Sequence, residues 1–177
     1  MPSSRKSHAC QAGFTLVETL ISMLIMSGGL LALAYAFAQG LVVVSTTHPN
    51  QVAKEKASEA IESVFTSRDT LKITWAQIRN VGNGGIFLDG PQPVRGPGPD
   101  GLVNTADDTD LEEEILAGPD NKMGTADDIS VPLGNYSREI VITDIAPNLR
   151  QIRVIIRYQI GSLSRDHQLV AYISAFA

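Results

Sequence analysis

Cysteine is nearly absent from this chain: Cys10 is the only one in 177 residues. No intrachain disulfide can form, and a lone thiol supplies neither a thiolate metal site nor a recognisable redox pair. Histidine is sparse too, with His8, His48 and His167 far apart in sequence. No phosphate-binding Gly-rich loop, no Gly-x-Ser-x-Gly elbow and no His-Glu-x-x-His helix is present. No acid–base pair follows from the spacing, and these absences together argue against an enzyme. Basic residues are outnumbered, 14 against 19 acids, with a pI near 5.1. That sign is wrong for a general nucleic-acid binder.

Charge is missing most completely from residues 14–44. The 31 residues from Phe14 to Val44 hold one charged side chain, Glu18. A helix of about 20 apolar residues crosses the roughly 30 Å hydrocarbon core, so this stretch spans a bilayer with turns to spare. Arg5 and Lys6 precede it without any apolar segment of their own. The leader therefore differs from an ordinary secretory signal, and the apolar segment stays with the protein. Basic residues on the N-terminal side predict a cytoplasmic N-terminus, with everything after Val44 outside the cytoplasm. An acid near the start of an apolar helix either lies at the interface, where it favours the helix dipole, or has a partner inside the membrane.

The string Gly13-Phe14-Thr15-Leu16-Val17-Glu18, between a short basic leader and a long apolar helix, resembles the prepilin signature of type IV pilins and type II secretion pseudopilins. The resemblance implies cleavage after Gly13 by a prepilin peptidase and methylation of the new N-terminal Phe14. It implies that Glu18 pairs with the N-terminal amine of a neighbouring subunit, which would satisfy two charges in lipid and fix axial register. A chain cut after Gly13 keeps 12 bases against 19 acids, a net charge of −7, and has no cysteine. It thus departs from the many pilins that staple a C-terminal loop with a disulfide.

Gly28-Gly29 interrupt the apolar helix, either as a packing point for a neighbouring helix or as a flexible point of the kind that melts on filament assembly. The run Thr46-Thr47-His48-Pro49-Asn50 reads as a joint, with Pro49 in the first turn of a new helical segment. From Gln51, Val52, Ala53, Ala57, Ala60, Ile61 and Val64 share one face, with Lys54, Glu55, Glu59 and Glu62 mostly opposite. This amphipathic half is expected to end between Phe65 and Arg68, and 71–78 reads as a short helix or a strand. Ile86-Phe87-Leu88 is a candidate short strand, and 91–99 is too broken for regular structure. Residues 109–116 read as a short helix or an acidic loop, with Glu112, Glu113 and Glu114 as a solvated face.

The last 42 residues change character. Residues 136–145, 149–161 and 165–176 are rich in β-branched residues and separated by Pro147-Asn148 and Gly161-Ser162. They read as a three-strand antiparallel meander, with Ile152, Val154, Ile156 and Tyr158 on one face and Arg153 and Arg157 on the other. The fold class is α+β: a long N-terminal helix, membrane half then amphipathic half, packed on a C-terminal antiparallel sheet of three or more strands. That is the pilin architecture. The expected divisions are a leader at 1–13, an apolar helix at 14–45 and a periplasmic domain at 46–177.

Between Asp89 and Asp128 stand 11 acids against two bases. Within that span, residues 98–108 recur at 118–128, matching at seven of 11 positions: Gly, Pro, Asp, then Thr, Ala, Asp, Asp. Clustered carboxylates repel unless solvated or bridged by a cation, and calcium takes six to eight such oxygens. The spacing is not that of an EF-hand. The second repeat resembles the calcium loop of the major pseudopilin, which implies Asp120, Asp127 and Asp128 as ligands. Asp100, Asp107 and Asp108 form a second candidate set. The competing reading is a solvated loop using Gly-Pro-Asp and Asp-Asp for turn chemistry.

The expected function is a prepilin-like structural subunit, a minor pilin or pseudopilin, that waits in the bacterial inner membrane. It would then join a filament through its helix. The implied partners are prepilin peptidase, other pilin or pseudopilin subunits, an inner-membrane assembly platform and lipid. The alternative is a single-pass anchored module that binds calcium or another ligand without polymerising.

Overall fold

The computed structural model describes Gly13 and residues 15–176. The leader cysteine, its basic pair, His8 and Phe14 lie outside the described residues. By its contacts the chain falls into two units, residues 1–45 and 46–177.

Helix α1 runs Leu16–Asp69 without interruption. Its start is capped by Thr15, whose hydroxyl accepts the Glu18 N–H at 3.3 Å, and Glu18 sits in the first turn, where an acid suits the dipole. Thr19, Ser22 and Ser27 return their hydroxyls to the carbonyls of Leu16, Glu18 and Leu24 at 2.8–3.0 Å. These three hydroxyl donors are thus satisfied within the helix, as a lipid environment requires. Its large apolar side chains are exposed from Leu16 to Val44, and its length and hydropathy suffice to cross a membrane.

The expected joint at residues 46–50 is not a break. Pro49 lies inside the helix although it removes one hydrogen bond. Contacts within the second unit hold this turn: Tyr136 and Tyr158 stack at 5.5 Å, and their hydroxyls stand 3.5 Å from the Pro49 carbonyl and Asn50 Oδ1. His48 also pairs with Glu114 at 3.0 Å. Tertiary contact outweighs local propensity there. The helix reaches Asp69, slightly beyond the expected end, and stops where Leu71 takes a left-handed conformation (φ 57°), a C-terminal cap unusual for a branched apolar residue. Residues 71–78 form neither a regular helix nor a strand, only a 3-10 turn at Trp75–Gln77.

The sheet that receives the helix has the order β1-β4-β5-β6. Strands β4 (Tyr136–Ala146), β5 (Leu149–Ile160) and β6 (Leu163–Ser174) form the expected antiparallel meander. A fourth strand, β1 (Gln92–Pro93), pairs with Ser137 and Arg138 in the segment read as irregular. Phe87 makes only one bridge, to Asn80. Val52, Ala53, Ala57, Ala60 and Val64 of the helix pack with Ile140, Ile142, Ile152, Val154, Ile156 and Ile173 in one core. Alanines at the contact let the backbones approach closely, and each fully buried Val or Ile contributes about 1.5–3 kcal/mol.

Two further strands correct the reading of the acidic run: β2 (Glu113–Leu116) pairs antiparallel with β3 (Ile129–Pro132). Nor are Glu112–Glu114 one solvated face. Glu113 is exposed, while Glu112 pairs with Lys56 and Glu114 with His48. Burial works against the Lys56 ammonium, but Glu112 and Glu59 outweigh it and hold its pKa above the ordinary lysine value.

Two arginines, unremarked in the sequence, are buried on the inner sheet face. Arg150 donates to Asp144 Oδ1 at 2.6 Å and to the Trp75 and Ile78 carbonyls, and stacks 4.1 Å over the Trp75 ring. It pins residues 75–78 to the sheet. Arg138 donates to Asn104 Oδ1 at 3.1 Å and to the Arg95 carbonyl at 2.8 Å.

Candidate assembly helix and acidic loops

Glu18, the proposed assembly residue, is exposed on the first helical turn and has no ion-pair partner among the described residues. Its backbone is engaged by Thr15 and Ser22, and its carboxylate is free for an outside partner. Gly13 is exposed just before the helix. Gly28 and Gly29 are both helical, and a Cβ at either would meet nothing within 4 Å.

The acidic repeats are duplicates in conformation as well as in sequence. Asp100 Oδ1 accepts the Leu102 N–H at 2.8 Å, and Asp120 Oδ1 accepts the Lys122 N–H at 2.8 Å. Asp108 accepts from the Asn104 and Thr105 N–H groups as Asp128 does from those of Gly124 and Thr125. Positive φ falls at Gly101 and Asn121 and again at Asn104 and Gly124, pairs that are 20 residues apart. These positions differ in sequence, yet each carries one of the two residue types that enter the left-handed region most readily. A Cβ on Gly98 would lie 2.5 Å from the Asp107 carbonyl oxygen, and one on Gly118 2.0 Å from that of Asp127. Glycine is needed in both loops for this close approach.

The loops differ in setting. The first is embedded: Leu102, Val103, Asn104 and Thr105 are buried, and Asn104 bonds the Arg138 side chain and backbone carbonyl. The second joins β2 to β3 and is mostly exposed. In the first, Thr105 Oγ1 lies 2.8 and 3.0 Å from oxygens of Asp107 and Asp108. In the second, Thr125 Oγ1 lies 2.6, 3.4 and 3.5 Å from Asp127, Asp128 and Asp120. One hydroxyl proton serves one of these oxygens, while Asp120 Oδ1 and Asp108 Oδ1 also accept the backbone N–H groups of Lys122 and Thr105. Three aspartates thus converge on one hydroxyl in the second loop and two in the first. Among the described residues, no three acid, histidine or cysteine side chains stand in complete metal-ligating geometry.

None of the six repeat aspartates forms an ion pair among the described residues. Hydrogen bonds carry their charge instead. The Thr125 hydroxyl, then the Asp120 N–H, hold the Asp127 carboxyl below the ordinary aspartate range. His167 is half-buried on β6, away from any acid–base partner among the described residues.

Residues 8–34 match the family model described as the prokaryotic N-terminal methylation motif. No curated protein and no solved structure matches the chain. The matched stretch holds the proposed cleavage site, Glu18 and about the first two thirds of the apolar helix. The chain therefore carries, over residues 8–34, the prokaryotic N-terminal methylation motif, a prepilin-type signature.

Proposed function

We propose that this chain is a structural subunit, a minor pilin or pseudopilin, made as a precursor, cut after Gly13 and methylated on Phe14. It is held in the bacterial inner membrane by residues 14–45, with residues 46–177 in the periplasm, until an assembly platform adds it to a filament. The observation that carries this reading is the methylation motif at residues 8–34 running directly into an apolar helix whose one acid is Glu18. In a packed bundle of such helices the Glu18 carboxylate pairs with the amine of a neighbour's Phe14, and the pair removes two uncompensated charges from lipid.

The mass of the N-terminal peptide, from protein extracted from its native membrane, tests the processing. A peptide beginning at N-methylated Phe14 is expected. A chain that still begins at Met1, or is cut elsewhere, overturns the reading and leaves an anchored module that does not polymerise.

The acidic loops serve this subunit as calcium-ordered elements in place of the disulfide it lacks. Asp120, Asp127 and Asp128 would hold the ion in the second loop, and Asp100, Asp107 and Asp108 are the weaker set. A bound cation would neutralise carboxylates that otherwise repel. Binding at a hundred times Kd contributes about 2.7 kcal/mol. The full chain in detergent is expected to melt several degrees higher in millimolar calcium than in chelator. The Asp120→Asn/Asp128→Asn variant should lose that difference, and an unchanged wild-type melt would remove the calcium role.

A further inference from the structure

The first residues of β6 lie at the end of the second unit where the chain enters it. Tyr158, beside them on β5, has its hydroxyl 3.5 Å from Asn50 Oδ1, and the stacked Tyr136 has its own 3.5 Å from the Pro49 carbonyl. Between Asn50, Tyr158 and the start of β6 opens a cleft of about 430 Å³, lined also by Leu163, Ser164, Arg165 and Asp166. That volume falls in the range of small-molecule sites. Tyr158 is buried, while the four lining residues of β6 are exposed.

Arg165 and Asp166 are neighbours in sequence, yet among the described residues neither forms an ion pair with the other or with any third group. Asp166 accepts one side-chain hydrogen bond, from Gln168 at 3.1 Å. The remaining arginines of the sheet are engaged. Arg138 and Arg150 are buried in their networks, Arg153 donates to Gln151 Oε1 at 3.4 Å, and Arg157 pairs with Glu139 at 2.7 Å. Arg165 alone of the five has no side-chain partner among the described residues. One cleft thus offers an unpaired cation, an unpaired anion and, at its rim, the exposed apolar Leu163.

We propose that this cleft seats a zwitterionic phospholipid headgroup of the membrane that anchors the chain. Arg165 takes the phosphodiester, Asp166 the headgroup amine, and Leu163 the start of the acyl region. The inference rests on the anchoring by residues 14–45 proposed above. Chain connectivity selects lipid over a free phosphate ester. As a helix, the 31 residues from Phe14 to Val44 reach about 46 Å, close to the roughly 40–45 Å of a bilayer with its headgroups. Leu41, Val42, Val43 and Val44 are apolar and exposed, which favours keeping the stretch in lipid up to Val44. Asn50 follows six residues later, and six residues span at most about 21 Å in any conformation. The tether therefore holds the cleft within reach of the headgroup layer at high effective concentration, where even a weak contact is occupied. Charge selects the lipid class, because a headgroup with no amine would leave Asp166 facing a phosphate.

Tryptophan quenching in vesicles of brominated phosphatidylcholine tests this on the full chain, with Trp75→Phe removing the one native indole. Leu163→Trp is expected to be quenched relative to unbrominated vesicles, and Ile145→Trp, beside the β4–β5 turn at the other end of the sheet, is not. Adding Arg165→Gln/Asp166→Asn, two exposed changes whose fold circular dichroism checks, should shift the docked-to-free ratio at position 163 by about tenfold or more, the loss of a charge-assisted contact. Leu31→Trp reports the anchor separately. If it escapes quenching, the anchoring itself fails and this inference with it. If it is quenched while Leu163→Trp behaves like Ile145→Trp, the headgroup site alone is overturned. Quenching at 163 that the double variant leaves unchanged would overturn it too. So would a response of Leu163→Trp to glycerophosphocholine in detergent without quenching in brominated vesicles, which would mark a site for a soluble phosphate ester.

Discussion

A Glu18→Ala chain is expected to insert in the membrane, lose its leader and yet give few or no filaments. Alanine removes an acid from an otherwise uncharged stretch, so insertion becomes easier, and Thr15 still caps the first turn through the position-18 N–H. What the variant loses is the partner of the amine at Phe14. That amine then enters a packed helix bundle uncompensated, at a cost of about 2.5–3.5 kcal/mol per contact on insertion scales. An association constant falls by about 60- to 300-fold for such a loss. Because each subunit repeats the contact, filament mass should drop at least as far. Counting filaments by electron microscopy while following cleaved subunit by immunoblot separates assembly from processing. Normal filaments from the variant would sink the pairing role and favour an anchored module. Glu18→Gln sharpens the result: it keeps size and hydrogen bonding, and should still fail, because the lost quantity is charge.

Periodicity carried much of the fold. The helix face from Val52 to Val64 and the three meander strands are visible as spacings of 3.6 and 2, because each buries one side against a single layer. The acidic repeat was legible by identity at seven positions. The two positions that set its bends, 101 with 121 and 104 with 124, were not, since glycine and asparagine exchange places while the backbone conformation stays the same. Other features depended on partners distant in sequence. Pro49 reads locally as a breaker, and nothing near it in sequence announces the tyrosines at 136 and 158. Strand β1 exists because β4 offers an edge to pair with. The glutamates from 112 to 114 look solvated until Lys56 and His48 are placed beside two of them. Arg138 and Arg150 could have been found: each shares the parity of the buried isoleucines on its own strand, and that signal was readable from the alternation alone.

Replacing Arg138 by alanine should be the most damaging single change to the second unit. The side chain is fully buried between the first acidic loop, Arg95 and the sheet, and burial pushes its pKa below the ordinary arginine value while Glu112, Glu59 and Asp108 oppose that shift. Its Nη1 and the Glu112 Oε1 are buried without hydrogen-bond partners among the described residues, so the network already carries one unmet donor and one unmet acceptor. Alanine leaves Asn104 Oδ1 and the Arg95 carbonyl without donors, removes the positive charge facing Asp108, and opens a cavity the length of an arginine. Breaking a buried charged network in this way costs about 3–5 kcal/mol. For a domain of this size that corresponds to a fall of about 10 °C or more in Tm, read by circular dichroism of the full chain in detergent. Arg153→Ala, on the outer face of the same sheet, should change stability by no more than about 0.5 kcal/mol. Arg138→Lys should recover part of the loss, since an ammonium keeps the charge but cannot span Asn104 and Arg95 with one planar fork. A loss below about 1 kcal/mol for Arg138→Ala would mean that the first loop is held by its buried Leu102 and Val103, and that the guanidinium only occupies space left beside them.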